Sequence, residues 1–155
     1  MKLKYYKYGF LISALIVIIA LCAFSKTTPK EDITPNDVNG ISFIEQDWSK
    51  ALAQAKTQNK LVFLDIYATW CGPCKLLKKN TFSNAQVGEF FNKNFVNVSV
   101  DGEQGVGPDL AQQFAIEGYP TLIVTDKTGK LLLYSVGYMN ANDLMLFAKE
   151  ALKKK

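Results

Sequence analysis

Histidine and arginine are both absent from this sequence of 155 residues, and its 18 basic side chains are all lysines. Without histidine the chain cannot form a Ser-His-Asp or Cys-His catalytic centre, or a metal site with imidazole ligands. Without arginine it lacks the bidentate side chain that recognises phosphate or guanine. The reactive side chains that remain include three cysteines, and their positions are informative.

The formal net charge of +4 comes largely from the N-terminus. Three lysines among the first seven residues precede an apolar run over residues 8–24, which only Ser13 interrupts. Removal of residues 1–25 takes away these three lysines and no acid, so that 15 bases (18 minus 3) face 14 acids. The resulting net charge of +1 gives no support to nucleic-acid binding.

A lysine-led apolar run of this kind is typical of a signal peptide or a membrane anchor. Its length lies between the roughly 7–15 residues of a signal peptide's apolar region and the roughly 20 of a spanning helix. Ala23 and Ser25 suit cleavage, and Cys22 suits lipid attachment, although Leu21 is large for that motif. Retention of residues 8–24 in the membrane is favoured by an aromatic belt of Tyr5, Tyr6 and Tyr8. Cleavage, lipid attachment and retention in the membrane would each place the rest of the chain outside the cytoplasm, in the periplasm. The remaining alternative is that the apolar run is a buried helix of the protein core.

Residues 26–40 are rich in Thr, Pro, Asp and Asn and have no apolar period, so we interpret them as a linker. A globular domain is then predicted over residues 41–155. Its first part contains an edge strand at residues 41–44 and a helix capped by Asp47 or Ser49. The apolar face of that helix consists of Trp48, Leu52 and Ala55.

The remaining elements follow from apolar runs and capping residues. Residues 61–67 are predicted as a buried strand, and a helix from the cysteines through Asn80 follows it. Ser83 and Gln86 form a capping box for the next helix. Residues 95–101 alternate between apolar and polar side chains, which predicts a strand. Pro108 begins a short helix, two strands follow it, and Asn140 caps the final helix. The order β-α-β-α-α-β-α-β-β-α predicts an α/β domain with a central mixed sheet flanked by helices.

The stretch WCGPCK contains two closely spaced cysteines, the most reactive side chains of the predicted domain. Cys71 follows a strand and begins a helix, where backbone N–H groups favour a thiolate, and a thiolate is the species that attacks disulfides. Cys74 lies one helical turn later and can resolve a mixed disulfide. Gly72 permits a tight turn, and Pro73 is tolerated in the first turn of a helix. A disulfide that closes so short a loop stabilises little, and a zinc site needs four ligands, but a structural disulfide or two core thiols remain alternatives.

Asp65 lies within the buried strand, six residues before Cys71. Burial disfavours the charged form, so we expect a raised pKa and a role in taking and returning the proton of Cys74. The alternative is an aspartate at the strand edge, exposed or paired with a lysine.

WCGPCK, Asp65 and the later GYPT together resemble thioredoxin, over residues 41–152 as an ordered set of elements. The resemblance implies a thioredoxin fold and a cis peptide between Tyr119 and Pro120 facing the CGPC turn. It also implies a substrate-docking surface that includes Trp70, Tyr119, Pro120 and Gly137. The alternatives to a docking role are that Trp70 is an aromatic residue that only packs and that Gly137 is an ordinary glycine within a strand.

The stretch around the cysteines is also similar to the C-terminal thioredoxin-like domain of the thiol reductase DsbD and to small exported thioredoxin-like proteins. Three positions depart from the family pattern. Asn97 stands where cytoplasmic thioredoxin has a buried lysine near the aspartate, and Tyr67 replaces a tryptophan. Lys78 replaces an acid that the DsbD-like domains have four residues after the second cysteine.

The resemblance implies a monomeric thiol–disulfide oxidoreductase that needs no bound cofactor or metal. Its expected partners are disulfide-containing protein substrates and a membrane thiol relay that donates electrons. The Gly-Pro dipeptide resembles the reducing members of the family, so we expect a reductase. An oxidase or isomerase is one alternative, and a non-catalytic peptide-binding module is another.

Overall fold

The computed structural model describes residues 40–154. The predicted signal or anchor segment and nearly all of the predicted linker lie outside the described residues. Within the part that is described, no helix is long and apolar enough to cross a membrane.

Five strands and five α-helices form the domain in the predicted order. The strands are β1 (Ile44–Glu45), β2 (Leu61–Tyr67), β3 (Phe95–Asp101), β4 (Thr121–Thr125) and β5 (Leu131–Val136). The α-helices are α1 (Trp48–Gln58), α2 (Gly72–Leu77), α3 (Ala85–Asn94), α4 (Gly107–Gln113) and α5 (Ala141–Leu152). A π-helix over Lys78–Phe82 directly follows α2.

The sheet is mixed, with strand order β1-β3-β2-β4-β5. The central strand β2 pairs parallel with β3 and antiparallel with β4. Because it is covered on both faces, six of its seven residues are buried. The predicted α/β class with a mixed sheet is confirmed.

Alternate residues of β2 contribute to two apolar cores, one on each face of the sheet. One core joins Leu61 and Phe63 to helices α2, α3 and α5. The other joins Val62, Leu64 and Ile66 to helices α1 and α4. Asp65 has the same parity as Phe63, so it faces the side of the sheet on which α2 packs.

Two predicted helix boundaries are wrong in detail. The helix after the cysteines was expected to continue through Asn80, but its α-helical part ends at Leu77 and the chain continues as a π-helix. The capping box at Ser83 does not form, because the side chain of Asn84 caps α3 by accepting bonds from the N–H groups of Gln86 and Val87. Asparagine and serine are both good N-cap residues, and the later one begins this helix.

Other expectations hold in part. Asp47, and not Ser49, caps α1. Leu52 packs, partly buried, against the same core as Trp48 and Ala55, and the fully buried Ala51 joins that face. The strand predicted at residues 95–101 is confirmed as β3, and its polar residues are buried together with its apolar ones because β3 lies between β1 and β2 and is covered by helices. The Asn140 cap of α5 is confirmed.

Candidate active site

The two cysteines of WCGPCK are joined at the start of α2. Their Sγ atoms are bonded at 2.00 Å, and Cys71 is the N-cap residue of the helix, with Gly72 and Pro73 in its first turn. Cys71 is 2% exposed and Cys74 is 8% exposed. The backbone N–H of Cys74 lies 3.1 Å from Sγ of Cys71. In the dithiol form a donor at that position favours the thiolate of Cys71.

Asp65 is buried in β2 and is 5% exposed. Its Oδ2 accepts a hydrogen bond of 2.9 Å from Oγ of Ser99, whereas Oδ1 has no hydrogen-bond partner among residues 40–154. Burial raises the pKa of Asp65 to about 7, and the bond from Ser99 opposes that rise. The raised pKa agrees with the expectation from sequence. Near neutral pH, therefore, this carboxyl group can both accept and donate a proton.

Asp65 and Cys74 both line a cavity of about 440 Å³. Its volume is sufficient for several water molecules, since each occupies about 30 Å³ in the liquid. The polar side chains around it include Glu45, Lys75, Lys78, Ser83 and Ser99, and the apolar ones include Ile41, Phe43 and Phe82. The cavity therefore offers a polar route between a titrating carboxyl group and the second cysteine.

The surroundings of Asp65 differ from those expected from the sequence. The side-chain amide of Asn97 donates to Asn92 Oδ1 at 3.0 Å and to Ser42 O at 3.3 Å, not to Asp65. Ser99, which lies directly opposite Asp65 in the pairing of β2 with β3, is the residue that bonds to it.

Two charged residues act on Asp65 across the cavity. Glu45 raises its pKa and Lys78 lowers it, both by less than burial does. Lys78 is exposed, yet it lines the cavity. The lysine that replaces an acid in the DsbD-like pattern thus affects the proton affinity of Asp65.

Three of the predicted docking residues are linked to one another, and one of them, Tyr119, contacts the cysteine pair. The peptide bond between Tyr119 and Pro120 is cis, as the resemblance implied. Tyr119 packs against the cluster formed by Ala68 and the two cysteines. The carbonyl oxygen of Pro120 accepts a bond of 2.8 Å from the N–H of Gly137, whose φ of +99° suits glycine.

Trp70 is exposed beside Cys71, with 66% of its surface accessible. Its ring meets that of Tyr119 edge to face, with centroids 5.9 Å apart. Trp70 therefore packs against one aromatic neighbour but is not buried. An exposed tryptophan next to a buried disulfide offers an apolar surface to an incoming chain.

Sequence reasoning missed two residues of this region. Glu103 accepts bonds from the indole N–H of Trp70, at 3.1 Å to Oε1 and 3.0 Å to Oε2. Ser99 bonds to Asp65 across the sheet. Correct pairing of β2 with β3 would have revealed Ser99, but nothing local in the sequence indicates Glu103, which is 33 positions from its partner.

Metal binding finds no support among residues 40–154, where no group of three or more His, Cys, Asp or Glu side chains could hold an ion. The zinc alternative for the cysteine pair therefore has no ligand set there. The two cysteines are also not free core thiols, since they are bonded to each other.

Comparison with known proteins decides the family. A profile described as thioredoxin-like domain matches residues 48–151. The chain belongs to the thioredoxin-like family. Cys71 and Cys74 form the CxxC pair of this domain.

Relatives of this thioredoxin-like chain include DsbD proteins. The thiol:disulfide interchange protein DsbD of Pseudoalteromonas atlantica is 36% identical over 110 residues, which cover 68% of this chain and 18% of that protein. The chain thus spans less than a fifth of the length of that relative.

Solved structures agree on the fold. A putative disulphide-isomerase from Bacteroides thetaiotaomicron is 36% identical, with a TM-score of 0.67, and the match covers 76% of this chain and 98% of that one. A DsbH oxidoreductase shows the same fold, with 20% identity and a TM-score of 0.65. That match covers 77% of this chain and 90% of the DsbH chain.

Proposed function

We propose that this protein is an extracytoplasmic thiol–disulfide reductase acting on disulfides in other proteins. The observation that carries the proposal is the common cavity of Asp65 and Cys74 behind the CGPC turn. A structural disulfide has no need of a carboxyl group that titrates near neutral pH, whereas a dithiol that loses and regains protons does.

The reaction begins with the dithiol form. The Cys71 thiolate attacks one sulfur of a substrate disulfide, forms a mixed disulfide, and releases the other substrate sulfur as a thiolate that takes up a proton. Cys74 then passes its proton to the carboxylate of Asp65 through the cavity. The Cys74 thiolate attacks Cys71 Sγ, and the second substrate sulfur leaves and is protonated. Two electrons have moved to the substrate, and Cys71–Cys74 is oxidised.

The docking surface supplies the other roles. Trp70 and Tyr119 offer an apolar contact for the substrate chain, and cis Pro120, whose carbonyl oxygen is bonded to the N–H of Gly137, adjoins Tyr119 in the same surface. Gly72 and Pro73 are exposed, which leaves the outer face of the active-site turn open to the substrate.

The direction of electron flow is proposed from the Gly-Pro dipeptide, which resembles the reducing members of the family. A reductase outside the cytoplasm needs a thiol donor, and the likeness to DsbD, a protein named for thiol:disulfide interchange, supports a membrane thiol relay in that role. The lysine-led apolar segment at residues 8–24 supports export, with either cleavage or retention in the membrane.

The reduction potential of the Cys71–Cys74 pair tests the direction. We would equilibrate the full-length protein against dithiothreitol and glutathione buffers and measure the fraction of dithiol. A potential near that of thioredoxin, about −270 mV, agrees with a reductase, and one near that of DsbA, about −120 mV, contradicts it.

Substrate trapping tests the mechanism. The Cys74→Ser variant should accumulate mixed disulfides on Cys71 in vivo, because the resolving thiol is gone, and the Cys71→Ser variant should accumulate none. If Cys74→Ser captures no protein, the mechanism is wrong.

Two other functions remain open to test. A role as an isomerase draws support from the likeness to the putative disulphide-isomerase at 36% identity. A non-catalytic peptide-binding module would keep its activity in the Cys71→Ser, Cys74→Ser double variant, whereas a reductase would lose all turnover.

A further inference from the structure

Glu103 contacts the exposed tryptophan beside the nucleophile. The indole N–H of Trp70 donates to both carboxylate oxygens, at 3.1 and 3.0 Å, and the same indole ring lies edge to face with Tyr119. Glu103 is itself exposed. The Glu103 carboxylate therefore lies at the edge of the surface that Trp70 and Tyr119 would offer to a substrate.

A second acid, Asp101, lies next to Glu103. Asp101 is 3% exposed, and its carboxylate accepts bonds from the N–H of Glu103 at 3.0 Å and from Nε2 of Gln104 at 3.1 Å. Burial, followed by the charges of Glu103 and Asp101, raises the pKa of Tyr119. Both acids therefore act electrostatically on the tyrosine of the docking surface.

No lysine of the described region neutralises these acids at close range. Over residues 40–154 the one ion pair within 4 Å joins Lys153 to Glu150, at the C-terminal end of α5. The lysines closest in sequence to the cysteines, Lys75 and Lys78, line the Asp65 cavity. The rim formed by Trp70, Tyr119 and Glu103 thus presents a negative charge without a paired cation.

We propose that Glu103 is a specificity-determining residue, which favours protein disulfides whose reacting cysteine is flanked by lysine or arginine. The inference rests on the proposed reductase function and names a substrate class for it. A positive side chain on the substrate approaches the carboxylate as the disulfide approaches Cys71, and a negative one is repelled. Because the site is exposed, the preference depends on ionic strength.

The size of the preference follows from Coulomb's law. If the substrate charge comes within about 6–8 Å of the carboxylate in water at low salt, reversal of its sign changes the reaction rate by about five- to tenfold. At about 0.5 M salt the Debye length falls to a few ångströms, and most of the difference should vanish.

The test uses two short peptides, each with a single cysteine and each oxidised to its symmetric disulfide dimer. They are identical except that the residues on both sides of the cysteine are lysine in one and glutamate in the other. The full-length protein is first reduced with dithiothreitol and freed of it. Release of two peptide thiols per protein oxidised then gives a second-order rate constant for each peptide.

The decisive variant is Glu103→Gln, because glutamine can still accept the Trp70 hydrogen bond but has no charge. We expect the lysine-to-glutamate rate ratio to fall from about five- to tenfold in the wild type to about twofold or less. Glu89→Gln is the matched control: Glu89 is exposed on α3, on the other face of the sheet from the core that Tyr119 packs against. Its ratio should equal that of the wild type.

The outcomes separate this inference from the proposed function. If the wild type reduces both peptides at equal rates, or if Glu103→Gln retains the full ratio, the specificity role is wrong while the reductase function stands. If the wild type reduces neither peptide, the reductase function itself fails. Should Glu103→Gln not fold, the salt dependence of the wild-type ratio decides, since a ratio that is constant between about 10 mM and 0.5 M overturns the electrostatic explanation.

Discussion

Replacement of Asp65 by asparagine should remove a specific dependence of stability on pH. The pKa of Asp65 is raised from its usual 3.8 to about 7 in the folded protein, with burial as the main cause. Between these two values the folded state binds a proton that the unfolded state has lost. Stability from this group is therefore highest at low pH and falls as pH rises from about 4 towards 7 and beyond.

The magnitude follows from the linkage relation. Each pH unit between the two pKa values contributes about 1.4 kcal/mol. From pH 5 to pH 8 the wild type should lose about 3 kcal/mol of unfolding free energy through Asp65, because the loss levels off above pH 7. An asparagine side chain does not titrate in this range, so Asp65→Asn should lack that component.

Urea unfolding of the oxidised protein at pH 5 and pH 8, followed by the fluorescence of buried Trp48, measures both values. Other titrating groups are common to the two proteins and cancel in the difference. Asp109→Asn, which changes an exposed aspartate on α4, is the matched control and should keep the wild-type pH dependence. If Asp65→Asn loses as much stability as the wild type from pH 5 to pH 8, Asp65 is not the proton-holding group described above.

Three further substitutions have expected outcomes. Ser99→Ala removes a bond that lowers the pKa of Asp65, so the pH at which stability levels off should move upward; an unchanged profile would contradict the contact. Asn84→Ala removes the cap of α3 and should cost about 1 kcal/mol in urea unfolding; a loss near zero would mean that the cap is dispensable. Gly102→Ala would place a Cβ 2.7 Å from the ring of Tyr119, so peptide disulfide reduction should slow markedly, whereas an unchanged rate would show that the ring is not needed in that position.

Local sequence was a good guide to the elements and a poorer guide to their ends. The apolar run of β2 and the Asn140 cap of α5 are short-range signals, and both were predicted correctly. The cap of α3 was misplaced by one residue, because Ser83 and Asn84 both suit an N-cap. The burial of the polar residues of β3 depends on the strands and helices around it, and alternation along the strand could not predict it.

Short-range sequence likewise predicted some residues of the candidate site and not others. Cys71, Cys74 and Asp65 lie within ten residues of one another, and the order of a strand followed by a helix was enough to place the carboxyl group near the thiols. Tyr119 and Pro120 required the resemblance to thioredoxin, because nothing near them in the chain indicates that they lie beside the cysteines.

Sequence alone therefore determined the order of elements, the reactive dithiol and the buried aspartate, since these depend on residue type and short spacing. Only the tertiary structure decided that Ser99 and not Asn97 bonds to Asp65, and that Glu103 holds Trp70. Those partners are 34 and 33 positions apart, and strand register and loop path bring them together. Contacts of that range are set by the packing of the whole sheet, which no local pattern of residues encodes.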